Sequence, residues 1–307
     1  MDMENYDIII LGGGPSGLTA AIYAAREKLK VAVIEQGAVG GQMATTNEIE
    51  NYPGMDSIDG AELASLMANQ AKRFGAKIIE YTEVKEARLE GEAKIIKTKN
   101  GDFSAKAVII ATGAREKKLG VPGETELKGR GVSYCATCDG PFFRDRDVAV
   151  IGGGNSAISE ALHLAKFAKS VTIIHRRQTL RADMERQERA RQNPKIKFML
   201  DCTVEEIAGE GKVQHVKIAN LKTNEKQDVA VDGVFIYIGT LPNTELFRGQ
   251  VELDKRGHVM IDTNCKTNLK GVFASGDATN FGVKQVATAV GLGTVAALSA
   301  SAFISGE

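Results

Sequence analysis

Two stretches of the chain repeat one pattern of apolar and polar positions. The first opens with an apolar run at residues 6–11 and passes through Gly12-Gly13-Gly14-Pro15-Ser16-Gly17. A helical pattern follows from Leu18 to about Lys30, and a second apolar run at 31–34 ends on Glu35. Short unbroken apolar runs read as strands buried on both faces, and a 3.6-residue spacing reads as a helix. The segment therefore predicts strand, glycine turn, helix and strand. The second stretch has apolar residues 147–151, then Gly152-Gly153-Gly154-Asn155-Ser156-Ala157, a helical pattern to about Ala168, and an apolar run at 170–175 ending on His175. Gly12 and Gly152, Gly14 and Gly154, and Glu35 and His175 are each 140 residues apart. Such a repeat means two βαβ units rather than one.

Each copy has a later apolar run that ends in glycine, at 107–113 and at 233–239. A third run, 271–277, ends in Gly276-Asp277. The reading is an α/β fold of two Rossmann-like dinucleotide-binding domains. The first spans 1–114 and is completed by 246–307; the second, 115–245, interrupts it. The crossings are expected within 114–119 and 241–247. Residues 286–304 carry no charge and are long enough to span a membrane. They are mostly Ala, Gly, Ser and Thr, which favours a helix packed closely inside the protein.

Composition narrows the class. The chain has 307 residues, 43% hydrophobic and 25% charged, as expected of a soluble two-domain protein. Lys plus Arg equals Asp plus Glu at 39 each, so the balance asks for neither nucleic acid nor an anionic membrane. The first residues are acidic and lack a basic signal-peptide region, so a cytoplasmic protein is the expectation.

The glycine turns set the ligand class. A helix N-terminus offers free N–H groups and the positive end of a dipole, and glycines let a pyrophosphate approach them. Gly12, Gly14 and Gly17 supply this in the first copy, and Gly152, Gly154 and Ala157 in the second. Glu35 ends the next strand of the first copy and can accept from a ribose diol, which suits the adenosine half of FAD or NAD. In the second copy that place holds His175, followed by Arg176 and Arg177, with Arg181 beyond. Guanidinium groups pair bidentately with phosphate, so this rim suits the 2′-phosphate of NADPH. A solvated basic patch is the plainer alternative.

Cys135-Ala136-Thr137-Cys138-Asp139 carries the reactive chemistry. A Cys-x-x-Cys can close a short disulfide, and its thiolates can have lowered pKa values. A structural zinc would want four ligands. Cys202 and Cys265 form no second pair, and His163, His175, His215 and His258 lack ligand spacing, so redox chemistry is the better reading. Asp139 is either an acid–base group for thiol exchange or a cap for the turn into Gly140-Pro141.

With these residues in view, the sequence resembles the low-molecular-weight thioredoxin reductases over nearly its whole length. The carrying motifs are the two glycine turns, Gly41-Gln42, Glu50-Asn51-Tyr52-Pro53-Gly54, Ala111-Thr112-Gly113, the cysteine pentapeptide, His175-Arg176-Arg177 with Arg181, and Gly276-Asp277. The resemblance implies a homodimer, one FAD per subunit, NADPH as donor and thioredoxin or a glutaredoxin-like protein as partner. It implies that Cys138 exchanges electrons with the flavin, that Cys135 attacks the partner disulfide, and that Asp139 moves the proton. It further implies FAD contacts from Pro15, Ser16, Gln36, Gly41, Gln42, Asn51, Val84, Ala111, Thr112, Gly113, Gly276, Asp277, Lys284, Gln285, Val286 and Ala287. NADPH contacts would come from Asn155, Ser156, Ile238 and Gly239 beside the turn and the arginines. In this family the smaller domain rotates between two orientations.

Some positions depart from that pattern. Lys284-Gln285-Val286 stands where many of these reductases have Arg-Gln-Ala. The segments 284–300 and 239–244 look closer to the flavoprotein of alkyl hydroperoxide reductase, which leaves a peroxiredoxin-linked carrier open as partner. A flavoprotein dithiol oxidase would share the cysteine pair without needing the arginines. A redox-sensing binding protein would not need Asp139, and a ferredoxin–NADP-type flavoprotein reductase would not need the cysteines.

Overall fold

The computed structural model describes residues 3–46, 49 and 51–306; the side chains of Thr137 and Cys138, and Glu50 of the sequence motif, lie outside that description. The chain forms two compact units, Met1–Arg115 with Leu241–Glu307, and Glu116–Thr240. The fold is the α/β, doubly Rossmann-like arrangement that the repeat predicts.

In the first unit the strands Lys77–Ile79, Val31–Ile34, Glu4–Leu11 and Gly101–Ile110 lie side by side and parallel. The long strand Gly101–Ile110 has two partners on its other edge. Its second half pairs parallel with Val272–Ala274, and its first half pairs antiparallel with Lys94–Thr98, itself paired with Val84–Arg88. Every residue of 8–11 and 31–34 is buried, which explains their unbroken apolar runs.

The helix Pro15–Arg26 begins three residues before the apolar pattern at Leu18, because it opens on the glycine turn with proline in its first turn. It ends before Lys30 because Lys28 takes a left-handed φ of 66°. The helix Val286–Ser305 is long and apolar enough to cross a membrane by length and composition. Within the first unit it packs along Pro15–Arg26, burying Ala289, Gly293, Ala296, Ala297 and Ala300. A Cβ on Gly293 would stand 2.2 Å from the Ser16 carbonyl oxygen, so the small residues allow a close helix–helix approach.

The second unit repeats the plan. Its parallel sheet runs Ile196–Leu200, Ser170–His175, Asp147–Ile151, Gly233–Ile236 and Val132–Ser133. A three-stranded antiparallel sheet, Cys202–Ala208, His215–Asn220 and Lys226–Ala230, precedes Gly233–Ile236. The 140-residue repeat extends to single hydrogen bonds. Gly12 N–H donates to Ile34 as Gly152 N–H does to Ile174, and Leu18 N–H to Gly14 as Ile158 N–H to Gly154.

One buried carboxylate organises the start of this unit. Glu124 is 2% exposed and accepts from the Leu119 and Gly120 amides at 2.8 and 2.6 Å and from the Tyr134 hydroxyl. Burial alone would push its pKa up, but these donors outweigh it and the net shift is downward. A lowered folded-state pKa makes this stabilisation complete above the unfolded value of about 4.3, and it is lost as pH falls through the folded value. Glu124→Gln is therefore expected to cost about 1.5–3 kcal/mol at pH 7, the range for hydrogen bonds to a charged group. Thermal unfolding from pH 7 to 3 checks it, because the variant should also show a weaker loss of stability with acid than the parent.

Candidate functional site

The first glycine turn is assembled from three remote pieces of its own unit. Gly12 has φ 109°, and a Cβ there would lie 2.3 Å from the Ala111 carbonyl oxygen; one on Gly17 would lie 2.0 Å from that of Gly12. These two glycines serve close backbone packing. Gly14 faces open space, with no described residue within 4 Å of its missing Cβ. It is the N-cap of Pro15–Arg26 and no side chain caps that end. By contrast, Asp59 caps the helix Gly60–Arg73 by accepting from Ala61 and Glu62. A helix end left free beside an open glycine fits a phosphate.

Glu35 closes this turn. Its carboxylate accepts the Gly13 N–H at 2.6 Å and the Gly37 N–H at 2.8 Å, and each oxygen keeps a lone pair for a ribose hydroxyl. Gly12, Glu35, Gln36, Val84 and Thr112 line one cleft of about 810 Å³, with Arg115, Asn243 and Glu245 on its wall. The cleft lies at the carboxyl ends of the parallel strands, where such folds hold ligands. Gly41 stacks on the turn, its missing Cβ 3.5 Å from Gly14 Cα, and Gln42 donates to the Ala114 carbonyl.

The C-terminal stretch completes the first unit's site. Ser16 donates to the buried Ser275 hydroxyl at 2.6 Å, and a Cβ on Gly276 would meet Ser16 Cβ at 2.9 Å. Asp277 is pushed up by burial, against the opposing pull of Lys284 and His258. Burial lowers Lys284, which donates to the Asp277 and Thr279 carbonyls at 3.1 and 2.6 Å. Asn51 donates to Gln285 at 3.1 Å, and Gln285 caps the helix that begins with Val286 and Ala287. Ala111 is buried, Gly113 has φ 65°, and Thr112 donates to the Asn243 carbonyl at 2.6 Å. Asn243 also returns its side-chain amide to the Thr112 carbonyl at 2.9 Å. The sequence reading missed Asn243, which no local pattern marks.

In the second unit Gly152 has φ 146°, and a Cβ would lie 2.2 Å from the Tyr237 carbonyl oxygen and 2.9 Å from Ala157 Cβ. Gly154 again faces open space and caps Asn155–Leu164 without a side-chain bond. Asn155 and Ser156 are exposed at that end. Asn155 Oδ1 accepts the Asp183 N–H at 2.8 Å, and the Gly153 carbonyl accepts the Arg181 N–H at 2.6 Å. These bonds hold Arg181 beside the turn. Ile238 is half-buried on the unit's core, and Gly239 has φ 111° with open space at its Cβ position.

His175 and the arginines divide. Arg176, Arg177 and Arg181 are exposed, but His175 is 5% exposed and its ring fills the space under Gly153, 2.6 Å from a would-be Cβ. Its Nε2 has no hydrogen-bond partner among the described residues. Burial first, then Arg181, lowers its pKa, so the ring is a neutral floor to the turn.

Cys135 is disulfide-bonded, whereas Cys202 and Cys265 are buried free thiols. Burial pushes Cys265 up to about 12 and raises Cys202 as well, which keeps both as unreactive thiols. The Cys135 N–H donates to the Ser133 hydroxyl at 3.0 Å, and the Ala136 N–H donates to the Tyr237 hydroxyl at 2.6 Å. No local motif marks Ser133 or Tyr237 as a partner of the redox segment. Asp139 is half-buried, and its amide donates to the Cys135 carbonyl at 3.1 Å. Among the described residues its carboxylate makes no capping bond to the turn Gly140–Phe143.

Comparison with known proteins agrees with this construction. Residues 6–293 match the family described as pyridine nucleotide-disulphide oxidoreductase. A thioredoxin reductase of Streptomyces coelicolor is 50% identical over 308 residues, covering 99% of this chain and 94% of its own. One from Peptoclostridium acidaminophilum is 45% identical over 310 residues, with 98% of both chains covered. The crystal structure of Lactococcus lactis thioredoxin reductase superposes with a TM-score of 0.89 at 44% identity, covering 98% of this chain and 100% of that one. Two glycine turns at uncapped helix ends, a disulfide-bonded cysteine in the second unit and a match spanning both units agree: the chain belongs to the pyridine nucleotide-disulphide oxidoreductase family.

Proposed function

We propose that this chain is an NADPH-dependent thioredoxin reductase, carrying FAD in the first unit and binding NADPH in the second. The net reaction is NADPH, a proton and a partner disulfide giving NADP⁺ and a partner dithiol. The observation that carries the reading is a disulfide-bonded Cys135 in the same unit as an uncapped glycine turn flanked by three exposed arginines. FAD, when bound, supplies the two-electron relay between the nicotinamide and the disulfide.

The chain's own residues do the rest. Gly12, Gly14 and Glu35 hold the flavin nucleotide, with Gly41, Gln42, Asn51, Asp277 and Gln285 beside it. Gly152, Gly154, Asn155 and Ser156 take the NADPH pyrophosphate, and Arg176, Arg177 and Arg181 its 2′-phosphate. Cys135 attacks the partner's disulfide and forms a mixed disulfide. Cys138 then attacks Cys135 Sγ, which releases the partner as a dithiol and closes the Cys135–Cys138 bond. Asp139 hands a proton to the departing partner sulfur. The partner is thioredoxin, as the names of the relatives suggest. A homodimer, supported by the family resemblance, and a cytoplasmic location, supported by the acidic first residues, complete the reading.

Arg176→Ala with Arg177→Ala tests the donor. Hydrogen bonds to charged groups contribute about 1.5–3 kcal/mol each, and at these exposed side chains the low end applies, so the double variant is expected to need about 100-fold more NADPH. Its response to NADH should be unchanged. Anaerobic bleaching of the flavin absorbance with each nucleotide measures this, and an equal loss for both would assign the arginines to something other than the 2′-phosphate.

A further inference from the structure

Tyr237 belongs to two parts of the second unit at once. Its N–H donates to the Ile151 carbonyl at 2.8 Å, and its own carbonyl oxygen occupies the space Gly152 leaves by lacking a Cβ. Its side chain reaches the redox segment, where the phenol oxygen accepts the Ala136 N–H at 2.6 Å. Ala136 is fully buried, so water does not replace that acceptor. With Ser133 on the Cys135 N–H at 3.0 Å, the amides of both residues at the start of the segment are held by hydroxyls. Burial, and after it Glu160, pushes the Tyr237 phenol well above the ordinary tyrosine range, so the oxygen is a neutral acceptor.

We propose that Tyr237 is a positioning residue for the redox pair, holding the Ala136 amide so that the disulfide is favoured over the dithiol. The proposal rests on the reading of Cys135 and Cys138 as that pair. An amide next to a cysteine stabilises the thiolate when it is free to donate to it. Tyr237 keeps that donor engaged and so withholds it from the thiolate of the reduced form. The dithiol loses that stabilisation, which makes the reduced pair a stronger reductant toward its partner. The same residue packs its main chain on the proposed nucleotide turn, so the electron-donor site and the pair share one support.

The test uses the holoenzyme equilibrated with mixtures of reduced and oxidised dithiothreitol. The protein disulfide takes two electrons and two protons from one dithiothreitol, which closes to its cyclic disulfide. Thiol alkylation and mass measurement then give the dithiol fraction. Tyr237→Phe is expected to move the equilibrium about tenfold toward the dithiol, equivalent to about 30 mV for a two-electron couple. Flavin absorbance and bleaching by NADPH should be retained. Should that variant fail to fold, 3-fluorotyrosine at position 237 keeps the shape with a weaker acceptor oxygen, and a smaller shift in the same direction is expected. Coincident curves for the parent and a folded variant would overturn the proposal. A parent protein whose Cys135 disulfide does not exchange with dithiothreitol would instead remove the redox-pair reading, and this inference with it.

Discussion

Cys138→Ser is expected to abolish reduction of the partner disulfide while leaving bleaching of the flavin by NADPH intact. The expected loss of turnover is about 10³-fold or more, the scale seen when a covalent catalytic group is removed. The reason is topological as well as chemical. In the proposed function electrons enter through the nucleotide turn at Gly152 and Gly154 and leave through the cysteines, so the first transfer does not need the second. Turnover with thioredoxin and anaerobic titration with NADPH, done on one preparation, separate the two steps. Cys135→Ser should give the same loss of turnover. Loss of flavin bleaching in Cys138→Ser would remove the assigned order of transfer, and retained turnover would remove the cysteines from the reaction.

Gly152→Ala should produce the opposite defect. The added Cβ would lie 2.2 Å from the Tyr237 carbonyl oxygen, and the φ of 146° is one that residues with side chains rarely adopt. Backbone cannot move aside as a flexible side chain would. Overpacking and left-handed strain together amount to about 2–5 kcal/mol, so the turn should bind NADPH about 100-fold more weakly or not at all. The first unit builds its own turn from Gly12, Gly14 and Glu35, so the protein should still purify yellow. Dithionite should bleach the flavin at the usual dose, and NADPH should not. Bleaching at the parent's NADPH concentration would mean that electrons enter by another route.

The two predictions differ in how much of them could be read without the fold. The cysteine spacing, both glycine turns and Glu35 are local patterns, and the structure sets each glycine turn between a strand and a helix. The boundary errors are local too. The helix expected from Leu18 starts at Pro15, and Lys28 ends it before Lys30. His175 shows a different shortfall. A histidine at the end of the second copy's strand reads as part of a cationic rim with its arginine neighbours. Side chains alternate along a strand, and this one turns inward under Gly153 while Arg176 and Arg177 stay outside.

What the chain determines by itself is the repeated unit: apolar strand, glycine turn, helix and strand, twice, 140 residues apart. Period and backbone freedom decide these features, and both are written in neighbouring residues. Tertiary structure alone decided that Asn243 braces Thr112, that Gln285 meets Asn51 and that Tyr237 reaches Ala136. Those partners are 131, 234 and 101 positions apart. They meet because strand order sets which chain ends share one edge of a sheet, and strand order follows from the joint burial of many apolar faces rather than from any local pattern.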